Sequence, residues 1–225
     1  MFIGHFAVGF GAKRFAPKTS LAVLLAAPLL ADLLWPPFLL LGWEHVRIAP
    51  GDTRFTPFDF YDYPWSHSLL MTTVWATLFA LLYWWLQRNR KSAMVIWIGV
   101  LSHWLLDWIT HRPDLPLLPG GLGRYGLGLW NSVPGTMAIE IVLLIIGVWA
   151  YAGTTAAGDK IGRYGFWSYV ILLFALYIGD RFSSPPAAVK QVAWAAIVAS
   201  CVFLLWAWWF DSHRTPNLIE PPAIR

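Results

Sequence analysis

The sequence predicts an all-α protein: a polytopic transmembrane helix bundle of about six spanning helices, with one further short helix at its N-terminus. Composition is the first reason. Of 225 residues 58% are hydrophobic and 12% charged, about half the charge of a soluble domain, and the mean hydropathy is +0.55. Run length is the second, because six apolar stretches approach the roughly 20 residues that carry a helix across a core about 30 Å thick. The third is pattern. The strands of a membrane barrel alternate polar and apolar residues, whereas 138–148 is apolar apart from Glu140. Such runs close as helices because lipid offers the backbone no partner.

Residues 2–12 are apolar but too short to span, and suit a half-helix dipping into the bundle or lying at the interface. Spans follow near 20–41, 67–87, 93–110, 136–153, 166–183 and 190–210. Lys13, Arg14 and Lys18 ahead of the first run resemble the flank of a signal anchor. That run continues past Asp32, Pro36 and Pro37 to Leu41, longer than a cleaved signal core, so it is expected to be retained. No polar linker divides the chain, and residues 1–225 are expected to form a single membrane-embedded domain. The 16 tryptophans suit helix ends at headgroup level. Cys201 is the single cysteine and lies in an apolar run, which excludes an intramolecular disulfide. The net charge of +4 is scattered over short loops. Without a basic patch, nucleic acid is excluded as a partner and membrane lipid is the expected one. The oligomeric state is left open.

Lysine and arginine counts orient the bundle. With the loop of Lys13, Arg14 and Lys18 in the cytoplasm, Arg88, Arg90, Lys91, Lys160, Arg163, Arg214 and Arg225 join it. Arg47, Arg54, Arg112, Arg124, Arg181 and Lys190 fall opposite. This predicts a multi-pass membrane protein with that loop in the cytoplasm.

An ionisable side chain within a span costs about 2.5–3.5 kcal/mol on insertion scales, so it tends to face the bundle interior and to have a task. Asp32, His67, His103, Asp107 and Glu140 come from four spans, and the orientation above puts them near one depth, toward the outer leaflet. The cytoplasmic half shows no ionisable counterpart within its spans. In H-W-L-L-D, His103 and Asp107 are four residues apart and share a helix face, which His111 continues one turn later. Imidazole and carboxylate are ligands for borderline and harder divalent metals, and a cation would compensate buried Asp32 and Asp107. Zinc leads, with manganese, magnesium and iron open. Each residue also has a plainer reading: membrane histidines commonly bridge helices by hydrogen bonds, and Asp107 could pair with Arg112. Glu140 and His111 are candidates for the acid–base group or for orienting a ligand. The Pro- and Gly-rich segment 111–132 reads as a long outer loop, in which Arg124 and Asn131 are candidates to orient a small-molecule or lipid substrate.

Four blocks in order carry a resemblance: G-H-F-A-V-G around His5, A-P-L-L-A-D-L-L-W-P around Asp32, S-H-S-L at His67, and G-V-L-S-H-W-L-L-D-W-I-T across His103 and Asp107. The set resembles the YdjM-like family of bacterial inner-membrane metal-dependent hydrolases over about the first half of the chain. The resemblance implies His5, Asp32, His67, His103 and Asp107 as metal ligands, hydrolysis as the activity and the inner (cytoplasmic) membrane as the location. In that family an arginine often lies shortly before the T-H-S block, whereas this chain reads Y-D-Y-P-W-S-H-S; Arg54, Arg112 or Arg124 could take its place. The expected function is a membrane-embedded metal-dependent hydrolase of a lipid, or of another amphiphilic ester or phosphoester, at the outer interface. The alternatives are an ion- or proton-coupled transporter and a non-catalytic protein stapled by its metal.

Overall fold

The computed structural model describes residues 1–217, so Arg225, counted above as cytoplasmic, lies outside the described residues. The chain begins with α1 (Ile3–Ala12), α2 (Leu21–Ala26) and α3 (Leu30–Leu41). Strands β1 (His45–Ile48) and β2 (Phe58–Asp62) and the short α4 (Pro64–His67) lead to α5 (Leu69–Gln87) and α6 (Arg90–Thr110). A loop with β3 (Leu115–Pro116), β4 (Arg124–Tyr125) and a 3-10 turn (Leu129–Asn131) precedes α7 (Val133–Thr154). The remainder is β5 (Thr155–Ala157), α8 (Lys160–Asp180), α9 (Val189–Ser212) and β6 (Arg214–Pro216).

The all-α expectation fails in two respects. The described residues hold three small antiparallel sheets, pairing β1 with β2, β3 with β4 and β5 with β6. Loops at the ends of apolar helices still carry backbone donors and acceptors that need partners, and short ladders supply them. Apolar run length, the signal used above, is blind to ladders of two to five residues.

The second correction concerns the number of spans. Among the described residues five helices, α5 to α9, are long and apolar enough to cross a membrane, not six. The run 20–41 is broken into α2 and α3 by a turn at 27–29. Pro28 in that turn has no N–H to continue the helical ladder, and Pro36 and Pro37 remove two more donors within α3. Gly42, at φ 72°, then ends α3 in the left-handed conformation that glycine adopts without cost.

The N-terminal piece is a half-helix inside the bundle. α1 buries Ile3, His5, Phe6 and Phe10 and lies directly on α7, where a Cβ on Gly147 would stand 2.4 Å from the Ala7 carbonyl oxygen. Around it Tyr151, Phe166, Tyr169, Phe203 and Phe210 form the aromatic core. Large apolar side chains such as Leu82, Ile98, Ile145, Ile171 and Leu205 are exposed on the outer faces of the long helices, as expected of surfaces that meet lipid rather than water. Side-chain caps from Ser68, Asn89, Ser132 and Asp159 start α5, α6, α7 and α8.

The two ends of the bundle each hold buried polar side chains. One end gathers β1, β2, α4 and the close of α6. At the other, Lys13 Nζ donates to Asp211 Oδ2 at 2.7 Å, and Tyr151 Oη donates to Asp211 Oδ1 at 2.7 Å. Lys13 and Asp211 are both buried. The expected lack of an ionisable counterpart within the spans of the cytoplasmic half is therefore corrected, since Asp211 lies within α9. Lys13 reads as a loop charge and Asp211 as a residue just past an apolar run, and nothing local joins two positions 198 apart.

Candidate metal centre

Asp107, in the last turn of α6, is the hub of the first end. His103 Nε2 is 3.0 Å from Asp107 Oδ2, His111 Nε2 3.6 Å and His67 Nε2 3.9 Å. On the other carboxylate oxygen, His5 Nε2 lies 3.1 Å from Oδ1, and the Met1 amino group also meets it. Asp32 Oδ1, from α3, is 3.6 Å from His67 Nε2. Two triads of ligand atoms result, His5–His103–Asp107 and Asp32–His67–His103, each with its atoms within 4.8 Å of one another and so capable of holding a metal ion.

Local structure explains the convergence. His103 and Asp107 are one turn apart on α6. His111 follows immediately as the helix ends and leaves the helical path at ψ 148°. His67 closes α4, four residues long, before Ser68 turns the chain into α5. Asp32 sits in the first turn of α3, just past the break at Pro28. His5 is fixed by the packing of α1 on α7, and its ring stacks on that of His103 with centroids 4.1 Å apart.

Hydrogen-bond accounting assigns the protons of three rings. His103 Nδ1 lies 2.7 Å from the Pro28 carbonyl oxygen, which can only accept, so Nδ1 bears the hydrogen. His111 Nδ1 donates in the same way to Asp114 Oδ1 at 2.9 Å. Ser66 Oγ donates to Glu44 Oε2 at 2.6 Å, which leaves that oxygen to accept from His67 Nδ1, also at 2.6 Å. Each ring therefore directs Nε2 toward Asp107 and, as a neutral imidazole, would offer that nitrogen to a metal. Metal-binding histidines are held in this arrangement, with the far nitrogen donating to a carbonyl or carboxylate. His103 Nε2 is buried and, despite its 3.0 Å approach to Asp107, has no hydrogen-bond partner. A divalent cation would take such nitrogens and the carboxylate oxygens together, so the residues fit a metal.

Several supports were hidden from sequence reading. Glu44, in the loop after α3, is buried and also accepts from Ser66 N at 2.7 Å. Burial raises the Glu44 carboxyl above its ordinary value, against the lowering influence of His67 and Ser66. Asp114 also accepts from Tyr63 Oη at 2.8 Å. The His111–Asp114 spacing of three was a usable signal; the partnership of Glu44 with Ser66, 22 residues apart, was not.

The other expected site residues stand elsewhere. Glu140 accepts from Phe2 N at 2.9 Å and Gly4 N at 3.2 Å, tying the start of α1 to α7. Arg112 does not meet Asp107; its guanidinium pairs with Asp52, Asp59 and Asp114. Arg124 donates to the Asp114 carbonyl, and Asn131 lies exposed on the 3-10 turn. A cavity of about 1060 Å3 opens on the cluster, with Asp32, His67, Asp107 and His111 in its wall. Arg112, Arg124, Asn131 and Glu140 are not among its lining residues, whereas Arg54 is.

No protein-family model matches the chain, and no curated protein or solved structure matches it.

Proposed function

We propose that this protein is a membrane-embedded metal-dependent hydrolase that cleaves an amphiphilic ester or phosphoester at the membrane interface. One observation carries the reading: His67, His103 and His111, each tethered through Nδ1, turn Nε2 toward Asp107 at the wall of a large cavity. The ordered blocks that resemble those of the YdjM-like hydrolases support the same chemistry, and the lysine and arginine bias supports a site on the outer side of the cytoplasmic membrane.

Three imidazoles with a carboxylate suit zinc first, while the oxygen donors Asp32 and Asp107 keep manganese, magnesium and iron in play. A divalent ion there supplies Lewis acidity and lowers the pKa of a coordinated water. His5, His103 and Asp107 would hold it as one triad, and His67, 3.9 Å from Asp107 Oδ2, stands beside them. Asp32, whose side chain is 43% exposed and opens to the cavity, is placed to take a proton from water. Glu140 anchors α1 and so positions His5.

The alternative of an ion-coupled transporter draws on the buried Lys13–Asp211 pair at the far end. The aromatic core of Phe6, Phe10, Tyr169 and Phe203 lies between the two ends and, among the described residues, holds no carboxylate, imidazole or amine. That favours hydrolysis.

The test is turnover of chromogenic carboxyl and phosphate esters and of a fluorogenic phospholipid by detergent-purified protein. Expected is hydrolysis that a chelator abolishes and added metal restores. Asp32→Asn is expected to keep its metal while losing about 10²–10⁴ in kcat, the range of a general base. Metal-loaded protein that turns over no substrate in the panel would remove the reading.

A further inference from the structure

The cavity beside the cluster does not end there. It runs on between α8 and α9, which pack tightly at the Lys13 end, where Phe166 and Tyr169 meet Phe210. Toward the cluster end the cavity wall is made by Ala175, Leu176 and Gly179 of α8 and by Ala195, Ala196 and Ala199 of α9. These small side chains leave a cleft, and Ala175, Gly179, Ala195 and Ala199 are exposed along it. Both helices are long and apolar enough to cross a membrane, so the cleft lies in a wall that meets hydrocarbon.

The opposite end of the cavity, next to the histidines, has a different lining. Trp35 Nε1, Trp130 Nε1 and Tyr177 Oη are buried atoms without a hydrogen-bond partner among the described residues, and all three residues line the cavity. A buried donor left unpaired costs about 1–3 kcal/mol, and three on one wall point to a ligand rich in acceptors. Arg54, also on the wall and exposed, makes no ion pair among the described residues. Asp180, the nearby carboxylate, is taken by Arg181.

We propose that the cavity holds a membrane phospholipid whose hydrocarbon chain lies in the cleft between α8 and α9. Its anionic phosphoester group takes hydrogen bonds from Trp35, Trp130 and Tyr177 and the charge of Arg54. This deepens the hydrolase reading by naming its substrate class, and the lipid reaches the histidines sideways from the bilayer. Binding requires no turnover, so the two can fail separately.

The test uses the full chain in mild detergent with a phosphatidic acid carrying a photoactivatable diazirine in its acyl chain. Labelling is expected to concentrate on peptides containing 175–179 and 195–199. Ala199→Trp, and Ala175→Trp from the facing wall, should each cut it about tenfold, the loss when about two methylenes no longer find apolar cover. Metal content and elution profile should match the parent and so report intact folding. Arg54→Gln should weaken labelling by the phosphatidic acid but not by a diacylglycerol with the same diazirine. Even labelling over other exposed faces, such as those of Leu78 and Val142, would overturn the proposal. So would insensitivity to both tryptophan variants, or competition by inorganic phosphate as strong as by unlabelled lipid. Labelling as expected without any turnover would leave the lipid site standing and remove the hydrolase.

Discussion

The two ends of the bundle bury comparable polar chemistry and solve its cost differently. At the Lys13 end, the Asp211 carboxylate accepts from Lys13, Leu21 N and Tyr151, and Lys13 also donates to the Thr19 carbonyl. The protein itself satisfies that carboxylate. At the other end, Asp107 meets the Met1 amino group and His5 through Oδ1 and faces three further imidazoles, of which His103 leaves Nε2 unpartnered. A buried polar group without a partner is expensive, so a cluster assembled from α1, α3, α4 and α6 with that deficit is built around something besides protein. The lesson is that burial of charge does not mark a functional site; an unmet valence does.

The largest effect separating the two ends is expected from Asp211→Ala. It leaves Lys13 buried beside no carboxylate, which costs about 3–5 kcal/mol. Denaturation in mixed micelles should show that loss while metal content stays at the parent level. An equal loss of metal would mean that the ends are not independent.

Gly147→Val comes next. Its side chain would meet the Ala7 backbone, and overpacking of this kind costs about 1–3 kcal/mol. Because α1 carries His5, metal affinity should fall along with stability. A drop in stability with unchanged affinity would take His5 out of the ligand set. Ser66→Ala is the more selective probe. It removes the oxygen between His67 Nδ1 and Glu44, and loss of such an outer partner typically weakens metal binding about 10–100-fold. Competition with a fluorescent chelator would measure it.

The smallest effect belongs to the α8 cap, at the Lys13 end. The Gly162 N–H, and after it His213, hold the Asp159 carboxyl below its ordinary value of 3.8. A carboxyl lowered on folding stabilises fully above its unfolded value, and that contribution is lost as pH falls through the folded one. Thermal unfolding should therefore show a slight acid-side loss that Asp159→Asn abolishes, with no change in metal content.

What could be read in the sequence follows the range of each signal. Run length located α5 to α9 because a span is a local property. It misread 20–41 as one helix, since the apolar composition of α2 and α3 hides the turn at Pro28, whose carbonyl is then free for His103. The three sheets were invisible because ladders pair strands through backbone groups and leave no apolar period. At the site, the spacing of His103 and Asp107 and the shared depth of Asp32 and His67 were legible, and the structure brings these residues together. His111, read as an acid–base or orienting residue, turns Nε2 to Asp107 at 3.6 Å but belongs to neither ligand triad. Glu44, Asp114 and Pro28 act through contacts that no helical period encodes. The partners of Arg112 and Glu140, the Asp52 and Asp59 carboxylates and the start of α1, could not be seen from sequence.

The central claim is that the lone pairs around Asp107 meet on a cation. Elemental mass spectrometry of protein purified in mild detergent, as parent, His103→Ala and Asp211→Asn, tests it directly. The account predicts stoichiometric divalent metal in the parent and in Asp211→Asn, and its loss in His103→Ala. A parent without metal after growth and purification in metal-supplemented medium, or a His103→Ala variant that keeps the full amount, would contradict it.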